Sequence, residues 1–325
     1  MRKILIYNLL LLCFTNCIRL KQTNDAITEK TSINTNRFKN NIDDLKTTKE
    51  VVAYVKSLNL ELNKKTFGQL QIKSIDTVTK DLIRCEVIKG WNIQNWEKTD
   101  LNNDGKTDLI FIAYWPYQYS QYAIVDKGNS NFDLVLISNE LNYCKLVKPI
   151  KIDKKTELLL YDFRTQIERT KNDSTIHFID TLTYRFDSFV EKNPIKKRDY
   201  DIESIKFNMR YYFTLEIDSQ ENAYYNCPEK IFMNPLYENI YVGKSSKKIP
   251  IKKFNELEKL LKYIDVKNLS NMYEIDHTDY ITTILTIKFK DGSIKEITDY
   301  GSDGSYGLNA TYSKLIKIAT ETNWK

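Results

Sequence analysis

Apolar and polar residues alternate along most of this chain with the two-residue period of half-buried strands. Seven such runs fill its first half: Leu82–Ile88, Leu109–Trp115, Tyr122–Asp126, Phe132–Ser138, Lys145–Ile152, Glu157–Arg164 and His177–Phe189. Turn signals such as Asp126-Lys127-Gly128-Asn129 and Lys171-Asn172-Asp173-Ser174 separate them. Short strands on short connections predict an antiparallel meander rather than βαβ units. One helix precedes them. Thr47–Leu58 has apolar residues at 51, 52, 55 and 58, a Thr cap and Glu50 near its third position.

The second half reads differently. Strand pattern over Ser204–Ile217 gives way to a helical stripe, Phe254, Leu257, Leu260, Leu261 and Ile264, within Ile251–Ile264. Pro250 just before it suits a helix start. Strands Ile281–Phe289 and Ile294–Thr298 flank Lys290-Asp291-Gly292-Ser293, a strong hairpin signal. A last helix is expected over Leu308–Thr322, its apolar face formed by Leu315, Ile316 and Ala319. The fold class is therefore α+β. An N-terminal β-meander domain with one short helix spans residues 47–192. A smaller α+β sandwich of an antiparallel sheet and two helices spans 199–325. The basic, Pro-containing stretch Glu191–Arg198 is the expected boundary.

The N-terminus carries an address. Arg2 and Lys3 precede an apolar run, Ile4 to Phe14, broken by Asn8. It is shorter than the ~20 residues a membrane-spanning helix needs, which makes it a secretory signal. The run ends in Phe14-Thr15-Asn16-Cys17, which resembles a relaxed bacterial lipobox, with Asn16 where Gly, Ala or Ser is usual. The resemblance implies a signal peptide over residues 1–16, lipid on Cys17, and an exported outer-membrane lipoprotein. No acidic cluster follows Cys17, which favours the periplasmic side. Residues 17–46 are polar and aperiodic and are expected to form a tether.

Composition narrows the chemistry. A 12 % aromatic content excludes a mainly disordered chain. A net charge of +6 over 325 residues demands no nucleic-acid partner. Two His leave little scope for imidazole catalysis or metal binding. Beyond Cys13 and Cys17 there are Cys85, Cys144 and Cys227: one disulfide with a free thiol, or three buried thiols. Cys85 and Cys144, both in strand-like runs, are the favoured pair.

One chemical motif stands out. Asp100-Leu101-Asn102-Asn103-Asp104-Gly105-Lys106-Thr107-Asp108 has the form D-x-N-x-D-G-x-x-D. It presents oxygen donors at alternate positions and a Gly for the tight turn. Such hard donors suit Ca²⁺. Its first nine positions match an EF-hand loop, but the twelfth is Phe111 and a strand follows. The loop is closer to the calcium loops of FG-GAP or VCBS-type repeats. That resemblance covers one unit, about residues 96–138, and implies Ca²⁺ ligation by Asp100, Asn102, Asp104, the Lys106 carbonyl and Asp108, with the Lys106 ammonium turned away. A turn built from Asn, Asp and Gly without metal is the plain alternative.

Three weaker signals remain, each with a favoured plain reading: the acids around His277 in Tyr273–Asp279, an acid–base cluster or a polar loop; the aromatic run Tyr114, Trp115, Tyr117, Tyr119 and Tyr122, a stacking surface or a half-buried sheet face; and the Gly-rich Asp299–Gly307, which could cradle an anion but lacks a P-loop Lys and reads first as a strand-to-helix loop. The C-terminal half, through Phe254, Leu257, Leu260, Leu261, Asp291-Gly292 and Asp299-Tyr300-Gly301, resembles uncharacterised lipoprotein-associated α+β domains. No activity comes with that resemblance. The functional expectation is a non-enzymatic envelope protein, anchored to the membrane through Cys17. It would carry a structural Ca²⁺ and bind an unidentified protein or glycan, as an immunity or inhibitor lipoprotein does. A carboxylate-based hydrolase of the envelope is the alternative.

Overall fold

The computed structural model describes residues 42–58, 70–83, 85–115, 118–129, 131–139, 141–166, 174–193, 198–229, 241–275, 280–302 and 304–325. The signal segment, Cys17 and most of the expected tether lie outside them. The described residues all belong to one compact unit. The tether's expected last residues do not look like a linker. Ile42 opens a 3-10 turn, Ile42–Asp44, and both Ile42 and Leu45 are buried in the core.

Helix α1 (Thr48–Ser57) starts where the capping residues predict. Thr47 accepts from the Glu50 N–H, and Glu50 accepts from the Thr47 N–H at 2.9 Å, so two otherwise orphaned donors are satisfied. Val51, Tyr54 and Val55 carry its buried stripe. They pack with Leu109, Phe111 and Ala113 of β2 (Asp108–Trp115). With β1 (Trp96–Thr99), β3 (Gln118–Gly128) and β4 (Asn131–Ser138), β2 forms an antiparallel sheet in the order β1-β2-β3-β4. The intervening residues Ile110 and Ile112 are buried on the other side, which is why β2 reads as a continuous apolar run.

A second meander follows: β5 (Leu146–Ile152), β6 (Lys155–Gln166), β7 (Ser174–Arg185) and β8 (Ser188–Glu191), again in sequence order. Ile110, Ala123, Val125 and Ile137 of the first sheet share a core with Val147, Leu158, Leu160, Leu182 and Phe189 of the second. Two side-chain amides stitch the sheets together as if they were peptide groups. Buried Gln121 donates to the Val147 carbonyl and accepts from its N–H, both at 2.9 Å. Asn103 does the same with Thr156, at 3.1 and 2.7 Å.

The N-terminal part is thus β-rich, but among the described residues it is two four-stranded meanders rather than one, and three α-helices accompany it rather than one. The expected strand Leu82–Ile88 is the main misreading. Helices α2 (Ile75–Asp81) and α3 (Val87–Gly90) straddle it. Leu82, Cys85 and Ile88 recur every third residue and all point into one cluster. Cys85 is disulfide-bonded to Cys144, while Cys227 is free and buried.

The last sheet has seven strands, against the few expected. They are β9 (Ile202–Met209), β10 (Phe213–Asp218), β11 (Asn222–Cys227), β12 (Gly243–Lys248), β13 (Met272–Glu274), β14 (Thr282–Phe289) and β15 (Ile294–Tyr300). Their order is β12-β11-β10-β9-β14-β15-β13, with β13 parallel to β15 and the other pairs antiparallel. Alternate residues such as Ile205, Phe207, Leu215, Ile217, Leu285 and Ile287 are buried against α4 (Ile251–Tyr263) and α5 (Tyr306–Glu321). Their neighbours alternate outward, as a sheet covered on one face requires.

Candidate functional site

The loop between β1 and β2 gathers the predicted ligands around one turn. Asn103 and Gly105 take left-handed backbone, φ +60° and +88°. That reversal aims successive N–H groups inward. Asp100 accepts from the N–H groups of Asp104 and Gly105, at 3.1 and 2.9 Å. Asn102 accepts from Asp104 at 2.9 Å. Asp104 accepts from the Lys106 N–H and from the Lys106 ammonium, each at 2.9 Å. The ammonium therefore lies on a ligand carboxylate rather than turned away. Burial works against ionisation of Asp104, but the Lys106 ammonium and N–H outweigh it and hold its carboxyl below the usual range.

Asp108 faces elsewhere. It is fully buried at the start of β2. Its Oδ2 accepts from Leu101 at 2.7 Å and Asn102 at 3.3 Å, and its Oδ1 from Asp126 at 2.8 Å. Desolvation pushes its carboxyl up to about 6 in spite of these bonds. Asp108 thus ties the loop to the β3 turn, while Asp100, Asn102 and Asp104 converge on residues 104–106. The oxygen donors suit a hard cation in type, but with Asp108 turned to β3 only the side chains of Asp100, Asn102 and Asp104 share the turn. In this conformation the side chains of Asp100, Asn102 and Asp104 accept from N–H groups and one ammonium. Among the described residues no three carboxylate, thiol or imidazole groups stand close enough to hold a metal.

A second feature was not legible in the sequence. A cleft of about 1580 Å³ runs between β4 and the β7–β8 turn on one side and β13, the end of β15 and α5 on the other. Its walls are rich in aromatic side chains, among them Tyr212, Tyr273, Tyr280, Tyr300, Tyr306 and Tyr312. Buried Lys145 lies 5.7 Å from the centre of the Tyr306 ring. Asp162 and Asp299 are also buried on its walls. Asp299 accepts from the Gly304 N–H at 3.1 Å. Desolvation, then the Asp299 charge, push the Tyr312 hydroxyl up. Asp133 and Asp187 share the ammonium of Lys127, the second at 2.7 Å. The cleft draws on ten separate stretches of the chain, so no local motif announced it.

The weaker signals now have places. The anion suited to Asp299–Gly307 comes from the chain itself. The Glu191 carboxylate, at the end of β8, accepts from the N–H groups of Tyr306 and Gly307 at the start of α5, at 2.7 and 2.9 Å. Gly307 permits this approach: an added Cβ would lie 2.4 Å from Ile264 and 3.3 Å from that carboxylate. Burial raises the Glu191 carboxyl above its usual range, against those bonds. In the aromatic run, Tyr119 is buried and its hydroxyl donates to Asp81 at 2.5 Å, while Tyr122 stacks on Phe111 in the α1 core. Pro116 and Tyr117, residues 276–279 with His277, and Cys17 lie outside the described residues.

No helix of the described residues is long and apolar enough to cross a membrane. No curated protein and no solved structure matches this chain. A family model described as a domain of unknown function, DUF6438, matches residues 212–319, from the start of β10 into α5. The C-terminal part of the chain is thus similar to an uncharacterised domain family, roughly a third of the sequence, and that family brings no activity with it.

Proposed function

We propose that this chain is a lipid-anchored protein of the bacterial envelope that binds a protein or glycan in the cleft, with Ca²⁺ bracing the 100–108 loop. The observation that carries the reading is the cleft itself. It is wide and open, and its walls are aromatic, the chemistry that stacks on sugar rings and packs on peptide side chains. Its acids next to β4 are held by Lys127, which suits a surface that binds rather than one that moves protons. The signal-like residues 1–16 and Cys17 supply the anchor, on the outer membrane and facing the periplasm. The Asp100–Asp108 donors supply the ion site.

Asp162 and Asp299, buried on the same cleft, favour one other reading, a carboxylate-based hydrolase. Binding and turnover are separable. The mature chain is passed over arrays of envelope oligosaccharides and of peptides, and bound material is analysed for cleavage. Saturable binding of intact ligand, weakened at least tenfold by Tyr280→Ala, is expected. Cleaved products would replace the binding reading with the hydrolase. Metabolic fatty-acid labelling tests the anchor: Cys17→Ser is expected to abolish label, and equal label in both proteins would remove the lipoprotein reading.

A further inference from the structure

Among the described residues the three sheets have six outer strands, and five of them either carry Lys or Pro or are no more than four residues long. β1 is four residues long and contains Lys98. β5 carries Pro149 with Lys148 and Lys151. β8 is four residues long and packs against α5. β12 reads Gly-Lys-Ser-Ser-Lys-Lys. β13 is three residues long. β4 is different. It has eight residues, Asn-Phe-Asp-Leu-Val-Leu-Ile-Ser, with no Lys, Arg or Pro. Its pairing with β3 is regular from Phe132 to Leu136, between a bulge at each end.

In an antiparallel edge strand, alternate residues turn both N–H and C=O away from the neighbour. Among the described residues, the main chain of Phe132–Ile137 forms hydrogen bonds only within the β3–β4 pair. Every residue from Phe132 to Ser138 lines the cleft. Of the strand, Asn131 and Leu136 are exposed and Phe132–Val135 are half-buried. The charges beside it are already balanced. Asp133 and Asp187 share Lys127, and Asp187 also faces Lys314 at 3.5 Å.

We infer that the cleft takes an extended, uncharged polypeptide segment that adds to β4 as a fifth strand. The inference rests on the binding reading above and narrows its ligand to a peptide. Repeating main-chain donors and acceptors are complementary to another main chain, whereas a glycan offers no ladder of that spacing. The regular stretch of five residues spans roughly 17 Å at about 3.3 Å per residue, which sets the paired length of the ligand. Because Asp133 and Asp187 at β4 are already paired with Lys127 and Lys314, the edge favours a segment that carries apolar residues on alternate positions.

A display library of random twelve-residue peptides, panned on the mature chain alongside an oligosaccharide array, tests this. Enriched peptides are expected to slow amide exchange of residues 132–137 at least tenfold. N-methylation of alternate peptide nitrogens, with side chains kept, is expected to weaken binding at least tenfold. Leu136→Lys, which adds the missing edge charge at an exposed position, is expected to do the same without shifting the melting point. Indifference to N-methylation, unchanged binding by Leu136→Lys, protection elsewhere, or concentration-dependent pairing of copies through β4 would overturn the inference. Oligosaccharides bound in the cleft with no peptide enriched would overturn it and leave the binding reading standing. With neither class bound, both fail.

Discussion

The Cys85–Cys144 bridge sets a measurable stability increment. The two residues are 59 apart, and they join the α2–α3 segment to the turn between β4 and β5. Closing a loop of about 60 residues in the unfolded chain removes roughly 14 cal/mol/K, or about 4 kcal/mol at 25 °C, on the chain-entropy account. Unfolding of a unit of about 290 residues carries an entropy near 0.6 kcal/mol/K. The double variant Cys85→Ala, Cys144→Ala is therefore expected to melt about 7 °C lower. Scanning calorimetry of the mature protein and the variant measures the difference. Thiol labelling after denaturation without reductant fixes the bonding: Cys227 should label and Cys85 and Cys144 should not. A melting difference under 2 °C with both thiols blocked would refute the entropic reasoning and point to an unfolded state already held compact. Labelling of all three would refute the bridge itself.

Three further outcomes follow from named contacts. Extracellular Ca²⁺ modules bind at about 10⁻⁴ to 10⁻³ M. At ~10 times the dissociation constant Ca²⁺ is expected to add about 1.4 kcal/mol, a few degrees of melting point, and Asp104→Ala to remove most of it. Identical calorimetric curves in millimolar Ca²⁺ and in chelator would make the loop a plain turn. Asp108 is raised to about 6 by burial. In chelator its contribution to stability is therefore greatest below about pH 4 and falls as pH rises through about 6. Asp108→Asn removes that slope and, with one oxygen where two accept, costs about 1–3 kcal/mol at pH 7. Urea unfolding across pH 4–7 shows whether the slope goes. Trp324 is buried, stacks on Tyr225 at 4.7 Å and donates to the Ala319 carbonyl at 2.7 Å. Trp324→Ala should cost ~3–5 kcal/mol in urea unfolding, and a cost under 1 kcal/mol would deny the packing.

Elements with strong local signals were legible. The Phe254–Ile264 stripe, the Asp291-Gly292 hairpin and the Thr47–Glu50 capping box lie where the residues place them. What failed lacked its usual marker. The expected strand His177–Phe189 breaks into β7 and β8 at Phe186 and Asp187, both with positive φ and without a Gly. Ser204–Ile217 breaks likewise at Tyr211, φ +70°. β12 has no apolar residue: its half-buried face is polar, with Ser245 Oγ donating to the Trp324 carbonyl at 2.7 Å. The 100–108 loop was legible as a turn rich in oxygen donors. The hold of Asp108 on β3 was not, since it depends on a partner 18 residues away. The cleft was invisible because its walls meet only after the sheets have formed.

β9 gives the recurrent part of this chain an unexpected dependence. The family match begins at residue 212, yet β10 and β14, both inside it, pair with opposite sides of β9, which lies outside. Residues 202–209 are therefore the spine of a sheet whose recognisable sequence starts later. Cut out at the limits of its similarity, that segment would expose two raw strand edges in the middle of its own sheet. It would also lose the Glu191 carboxylate at the head of α5 and Trp324 at its foot. The span that recurs between proteins and the span that can stand alone in water are different lengths of the same polypeptide.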